Sequence, residues 1–65
     1  MSYNERNIAR AIAKGAFRIM LTQGKYAGKI GDYFWTFDAD AWSVSVRKSE
    51  TLKVHTFTPA KSWAE

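Results

Sequence analysis

The apolar residues of the N-terminal third recur with the period of an α-helix. They stand mostly three or four residues apart, the spacing that places side chains on one helix face, and they are Ile8, Ile12, Ala16, Ile19 and Met20. Ser2 and Glu5 fit a capping box with Ser2 as the N-cap, and Gly24 is a suitable C-terminal stop. The pattern therefore predicts one helix over about residues 2–22. Within it, Gly15 indicates either a close contact with the sheet or a kink.

After the helix the pattern changes to that of a sheet. Residues 24–32 contain three glycines and two lysines and are typical of a loop. Three aromatic or alternating segments follow, as in a hairpin series, at about residues 33–37, 41–47 and 52–58. Pro59 ends the last one, because proline cannot donate to a strand ladder. The prediction is an α+β domain, with one amphipathic helix packed on a three-stranded antiparallel meander and a tail at 59–65 in which Trp63 folds back.

Alternation along the strands assigns their side chains to two faces. The face toward the helix is expected to hold Tyr33, Trp35, Phe37, Trp42, Val44, Val46, Leu52 and Val54. The uncovered face is expected to hold Phe34, Thr36, Ser43, Ser45, Arg47, Lys53, His55 and Phe57. That second face is polar and basic, with two aromatic rings.

The composition limits the classes of protein. A chain of 65 residues makes a single domain with a small core. Without cysteine it has neither a disulfide framework nor a cysteine-based metal site, so its four Phe, three Tyr and three Trp must supply much of the packing. No apolar run approaches the roughly 18 residues that span a bilayer, and none resembles a secretory signal. We therefore expect a cytoplasmic protein with no membrane partner.

The net charge of +4 is unevenly distributed. Residues 1–29 hold six basic residues and one acid, whereas residues 30–65 hold four basic residues and five acids. Four of the basic residues, here called the helix stripe, recur every four positions: Arg6, Arg10, Lys14 and Arg18. Like charges at this spacing oppose helix formation by about 0.2–0.5 kcal/mol per pair. The stripe therefore suggests an anionic partner, the alternative being a solvated face that keeps the chain soluble.

Other residues extend or qualify this hypothesis. Lys25 and Lys29 in the glycine-rich segment would flank the stripe. Phe17 and Leu21 fall among its charges on a helical projection, which indicates contact with the loop, the tail or a partner. The glycine-rich segment does not match a Walker loop, because Ile30 follows the second lysine where Ser or Thr is required.

Signs of catalysis or metal binding are weak. Asp38 and Asp40 stand in a turn, where aspartate is common, and a hard cation needs about six oxygen ligands. His55 is the single histidine, and a catalytic triad would need a concave pocket that so small a chain hardly offers. We expect neither an enzyme, nor a cofactor, nor a metal site.

The leading hypothesis is a non-enzymatic basic module that binds DNA or RNA through the helix stripe, with low sequence specificity. The alternative is a small inhibitor or adaptor of the phage or plasmid type, which docks on an acidic patch of a host enzyme or polymerase. In that case Phe17, Leu21 or Phe34 would anchor the interface.

The uncovered sheet face offers further contacts. Its side chains Phe34, Arg47, Lys53, His55 and Phe57 would suit a stacking platform for single-stranded nucleic acid. The same face would equally suit a homodimer interface, or cover by the tail.

Overall fold

One long helix precedes the sheet in the computed structural model, which describes residues 4–51 and 53–64. Helix α1 spans Glu5–Gln23, and its N-cap is Asn4, whose side-chain oxygen accepts a hydrogen bond of 2.8 Å from the Arg6 amide. Helix α1 thus begins later than predicted; the expected cap, Ser2, lies outside the described residues. The predicted stop is confirmed, because Gly24 caps the C-terminus with φ 68°. None of the helices among the described residues has an apolar stretch long enough to cross a bilayer.

The sheet is antiparallel, and its strands follow the order of the chain. Its elements are β1 Ala27–Ile30, β2 Tyr33–Asp38, β3 Ser43–Lys48 and β4 Val54–Phe57, followed by a 3-10 helix at Lys61–Ala64. Helix α1 covers one side of this sheet. The α+β class, the N-terminal helix and the antiparallel meander are confirmed. The predicted number of three strands is wrong, because the described residues form four.

The additional strand, β1, lies inside the predicted glycine loop 24–32. Gly28 pairs with Trp35 across the first hairpin, and a Cβ at residue 28 would approach the indole ring to 3.1 Å. Glycine therefore gives the Trp35 ring room to lie against the edge strand, where that ring is 2% exposed. Gly31 starts the tight turn with φ 58°, a conformation that hairpin turns need and glycine adopts freely.

Helix α1 buries a different face from the one predicted. The side of α1 that packs on the sheet consists of Ala9, Ala13, Ala16, Phe17 and Met20. Ile8, expected in the core, is 37% exposed, while Ile12 and Ile19 lie at the core's margin. The sheet contributes large rings to this core, Trp35 and Phe37 among them. Close packing of such rings requires small side chains opposite them, so alanines rather than isoleucines take the centre of the interface.

The rings around Phe17 connect the helix to the chain's later elements. The Phe17 ring lies 5.9 Å from Phe37, 5.7 Å from Trp42 and 6.4 Å from Trp63, measured between centroids. We call these four residues the aromatic cluster. Trp63 is buried there, which confirms that the tail folds back. Phe17 itself is buried. The sequence predicted that it contacts the loop, the tail or a partner, and its contact with Trp63 shows that the tail contact forms.

The side chains of the last strand, β4, lie on the opposite faces of the sheet from those predicted. His55 pairs with Val46 and Phe57 with Val44, and directly paired residues of antiparallel strands share a face. His55 and Phe57 are therefore on the helix side, each 7% exposed, whereas Val54 is 53% exposed on the other side. The assignment of His55 and Phe57 to the uncovered face is therefore wrong. The observed alternation is favourable because burying a phenylalanine removes more apolar surface from water than burying a valine.

Two further positions differ from the predicted strands. Trp42 stands in the turn before β3 rather than in the strand, and it is 46% exposed. Lys53 is exposed in the connection before β4 and is not part of the sheet face. Leu52, predicted in the core, lies outside the described residues.

Replacing Gly15 with alanine should stabilise the fold. A Cβ at this position would meet Ile30 Cδ1 at 3.7 Å, an ordinary contact rather than the close approach that the sequence suggested. Alanine favours a helix interior over glycine by about 1 kcal/mol, so thermal denaturation should show a midpoint higher by about 4–8 °C. The control Gly24→Ala should lower the midpoint, because residue 24 has a positive φ. A lower midpoint for Gly15→Ala would contradict the packing described here.

The orientation of β4 can be tested by urea unfolding of two variants. Phe57→Ala removes a buried ring and should cost about 3 kcal/mol or more. Val54→Ala removes an exposed side chain and should change the unfolding free energy by less than about 0.5 kcal/mol. Equal effects, or a larger effect at Val54, would contradict the register.

Candidate functional site

The helix stripe runs along the side of α1 that adjoins β4 and the 3-10 helix. All four of its residues are exposed. The Arg6 guanidinium lies 4.6 Å from the centroid of the Phe57 ring, and Arg18 Nε donates a hydrogen bond of 2.8 Å to the Trp63 carbonyl oxygen. Both ends of the stripe are thus held on neighbouring elements, which fixes the direction in which the row faces.

The middle of the stripe has no partner among the described residues. Arg10 and Lys14 are exposed, and neither has a hydrogen bond, ion pair or ring contact with any residue in 4–51 or 53–64. Arg6 rests on an uncharged ring, so its charge is not cancelled there. With a rise of about 1.5 Å per residue, the stripe spans about 18 Å.

The two lysines of the glycine-rich segment separate in space. Lys25 is exposed between α1 and β1. Lys29 lies in β1 opposite Phe34, on the sheet face away from the helix, so it does not extend the stripe as the sequence suggested. Its ammonium group lies 5.3 Å from the centroid of the Phe34 ring.

The sheet face away from the helix, here called the open face, carries two rows of aligned residues. The register places Lys29, Phe34, Arg47 and Val54 in one row across the four strands, and Ala27, Thr36, Ser45 and Thr56 in the next. The first row contains a ring, two cations and an aliphatic group, and the second contains three hydroxyls. Neither row includes an acid.

The ring of Phe34 is the centre of the first row. It is 40% exposed, with the Arg47 guanidinium 5.6 Å from its centroid and Lys29 on the neighbouring strand. Arg47 Nη1 also donates a hydrogen bond of 3.0 Å to the Thr51 carbonyl oxygen, which restrains the guanidinium. Beside the ring is an open pocket of about 200 Å³, lined by Phe34, Trp35, Thr36, Ser45, Arg47 and Val54.

A second concave surface, here called the apolar groove, adjoins the C-terminal half of α1. Its volume is about 270 Å³, and its lining is Phe17, Leu21, Trp42, Pro59, Ala60, Lys61 and Ala64. Leu21 is 49% exposed, so it reaches the surface among the stripe charges while Phe17 is buried. Trp42 has φ 53°, a left-handed conformation that costs a bulky side chain about 1–2 kcal/mol.

His55 and Asp38, two titratable residues outside these surfaces, contact neighbouring residues of the fold. His55 stacks on Phe57, and its Nε2 lies 3.6 Å from Glu5 Oε1 with no hydrogen-bond partner among the described residues. Asp38 accepts hydrogen bonds from the amides of Asp40 and Ala41, as expected of an aspartate that starts a turn. Among the described residues, no three His, Cys, Asp or Glu side chains are grouped to hold a metal ion.

Comparisons with protein-family models, with curated proteins and with solved structures found no match to this chain. The candidate binding surfaces of the molecule are the helix stripe, the open face and the apolar groove. Sequence reasoning identified the stripe, Phe34 and Arg47. It missed Val54 and Thr56 on the open face, because the predicted β4 alternation was reversed. The Asp–Ala–Asp–Ala run before Trp42 was the available signal for a longer turn that places this tryptophan outside β3.

Proposed function

We propose that this protein is a small non-enzymatic module that binds nucleic acid through the phosphate groups facing its helix stripe. The observation that carries the proposal concerns Arg10 and Lys14 at the centre of a row of four cations: both are exposed, and neither has a hydrogen bond, ion pair or ring contact among residues 4–51 and 53–64. Phosphate contacts of this kind carry no sequence information. The module accordingly binds many sequences with similar affinity.

The geometry of the stripe suits a polyanion. The row is about 18 Å long, and the phosphates of one strand of a duplex advance by about 3.4 Å each along the helix axis, so more than one phosphate lies within its reach. The remaining faces of α1 cannot replace it, since the alanines and Phe17 are buried against the sheet. Binding releases counterions from the nucleic acid, and this supplies a favourable, salt-dependent free energy.

The cost of the stripe also supports a binding role. Its three like-charge pairs at four-residue spacing destabilise the helix by about 0.2–0.5 kcal/mol each. Within the part of the chain that the structure describes, neither Arg10 nor Lys14 makes a hydrogen bond, ion pair or ring contact that offsets this cost. A domain with so small a core has little stability to spare, so an external anion is the natural counterpart of these charges.

A second candidate function is docking on an acidic protein, as an inhibitor or adaptor. The conformation of Trp42 favours it. Glycine or asparagine would suit the left-handed backbone better, yet a tryptophan stands there with 46% of its surface exposed. Strained residues with exposed aromatic surface are common in binding sites. Lys61 in the lining of the apolar groove would pair with an acid next to the partner's apolar anchor.

The double variant Arg10→Glu/Lys14→Glu tests the stripe. It should lower the affinity for duplex DNA by more than about tenfold at low salt and reduce the slope of log affinity against log salt by about 2. It should not lower thermal stability, because the new glutamates form favourable pairs with Arg6 and Arg18 along the helix. Fluorescence anisotropy across a salt series measures both quantities.

The matched control is Lys48→Glu/Lys53→Glu, which changes the net charge equally at two exposed residues away from the stripe. This control should retain most of the affinity. Equal losses for the two double variants would show that only net charge matters. A wild-type protein that retains neither DNA nor RNA at low salt would refute the proposal.

Trp42→Gly tests the second candidate. The variant loses ring contacts with Phe17 and Phe37, and relief of the left-handed strain offsets only part of that loss, so we expect its unfolding free energy to fall by about 1–3 kcal/mol. Circular dichroism verifies that the variant is folded. A protein that wild type retains from nuclease-treated lysate, and that Trp42→Gly loses while Arg10→Glu/Lys14→Glu keeps it, supports docking at the apolar groove. If both variants retain the same proteins as wild type, docking at the groove is excluded.

A further inference from the structure

From the open face we infer a second binding site, one that takes an unpaired nucleobase and thereby gives the protein a preference for single strands. The base lies in the pocket beside Phe34 against the exposed part of that ring. The flanking phosphates contact Lys29 and Arg47. This site is on the opposite side of the sheet from the helix stripe, so the inference shares only the class of ligand with the proposed function.

The chemistry of the pocket supports a base as its occupant. Aromatic rings bind bases by stacking regardless of their identity, and the Phe34 ring is exposed at the pocket wall. The hydroxyls of Thr36 and Ser45 line the same pocket and offer both donors and acceptors to the edge of a base. The bases of a duplex are stacked inside the helix and do not reach such a pocket.

The charges of the open face favour an anionic ligand over a second copy of this chain. Two cations lie in the first row of the open face, one on each strand next to that of Phe34. A twofold dimer through this face would bring Lys29 and Arg47 near the same residues of the other copy, and like charges placed opposite one another are destabilising. Asp38, the acid at the end of β2, already accepts two backbone hydrogen bonds from its own turn.

Two contacts within the protein order the Arg47 side chain before a phosphate binds. Its hydrogen bond to the Thr51 carbonyl oxygen and its place over the Phe34 ring, 5.6 Å from the ring centroid, hold the guanidinium at the pocket, which Arg47 lines. A phosphate then binds without much further ordering of that side chain. Lys29, on the other side of the ring, provides a second charge along the path of the strand.

The test compares a short oligodeoxythymidylate with a duplex of equal length, using wild type, Phe34→Leu and the control Tyr26→Leu. Tyr26 is an aromatic residue with similar exposure, outside the two rows of the open face. Phe34→Leu should lower single-strand affinity about tenfold and leave duplex affinity unchanged, whereas Tyr26→Leu should change neither. Circular dichroism verifies that each variant is folded, and light scattering reports its oligomeric state.

Three results would overturn the inference: single-strand affinity unchanged in Phe34→Leu, equal losses for single strand and duplex, or a wild-type dimer that Phe34→Leu converts to a monomer. The last result would assign the open face to self-association. The stripe variant Arg10→Glu/Lys14→Glu separates the two proposals. If it retains duplex binding while Phe34→Leu loses single-strand binding, the proposed function fails and the base site stands.

Discussion

The aromatic cluster determines how helix α1 is rotated on the sheet. Phe17 packs against a ring from β2, a ring from the following turn and a ring from the 3-10 helix. With that residue buried, the period of the helix places Ala13 and Ala16 beneath the sheet and Arg10 and Lys14 in solvent. The outward position of the stripe is therefore a consequence of core packing. A helix rotated to bury Ile8 would have exposed Phe17 and moved the cations.

The size of the domain explains why it has two basic surfaces. A single helix covers one face of a four-stranded sheet, and the other face remains in contact with solvent. Alternation along β2 and β3 fills that face with Phe34, hydroxyls and Arg47. One basic surface thus lies on the helix and another on the opposite side of the sheet, with the core between them. A long polyanion that follows both would have to pass around an edge of the sheet.

The sequence pattern correctly predicted those parts of the fold in which local preferences match the packing of the core. The helix, its stop at Gly24 and the strands β2 and β3 belong to this group, as does the return of Trp63 to the core. The same local signals also indicated the stripe, since charge spacing is visible in the sequence. Phe34 and Arg47 were correctly placed on the open face because they lie in strands whose alternation is regular.

The errors arise where a distant residue decides the outcome. β1 contains Gly28, and the local sequence predicts a loop there. Glycine is needed at this position because a side chain would crowd the Trp35 ring, a contact that the local pattern does not reveal. In β4, either alternation of the side chains buries an apolar residue. Which alternation forms depends on the contacts that Phe57 makes with Trp63 and Arg6 when it lies on the helix side. Such long-range contacts have no counterpart in local periodicity.

If nucleic acid binds as proposed, it contacts the outward side of α1 and the open face. A titration of the isotopically labelled protein with a single-stranded oligonucleotide, followed through the amide chemical shifts, tests both contacts at once. We expect the largest shift changes around Arg10 and Lys14 on the helix and around Phe34 and Arg47 on the sheet. An absence of changes at low salt, or changes confined to the apolar groove around Trp42, would refute both binding proposals.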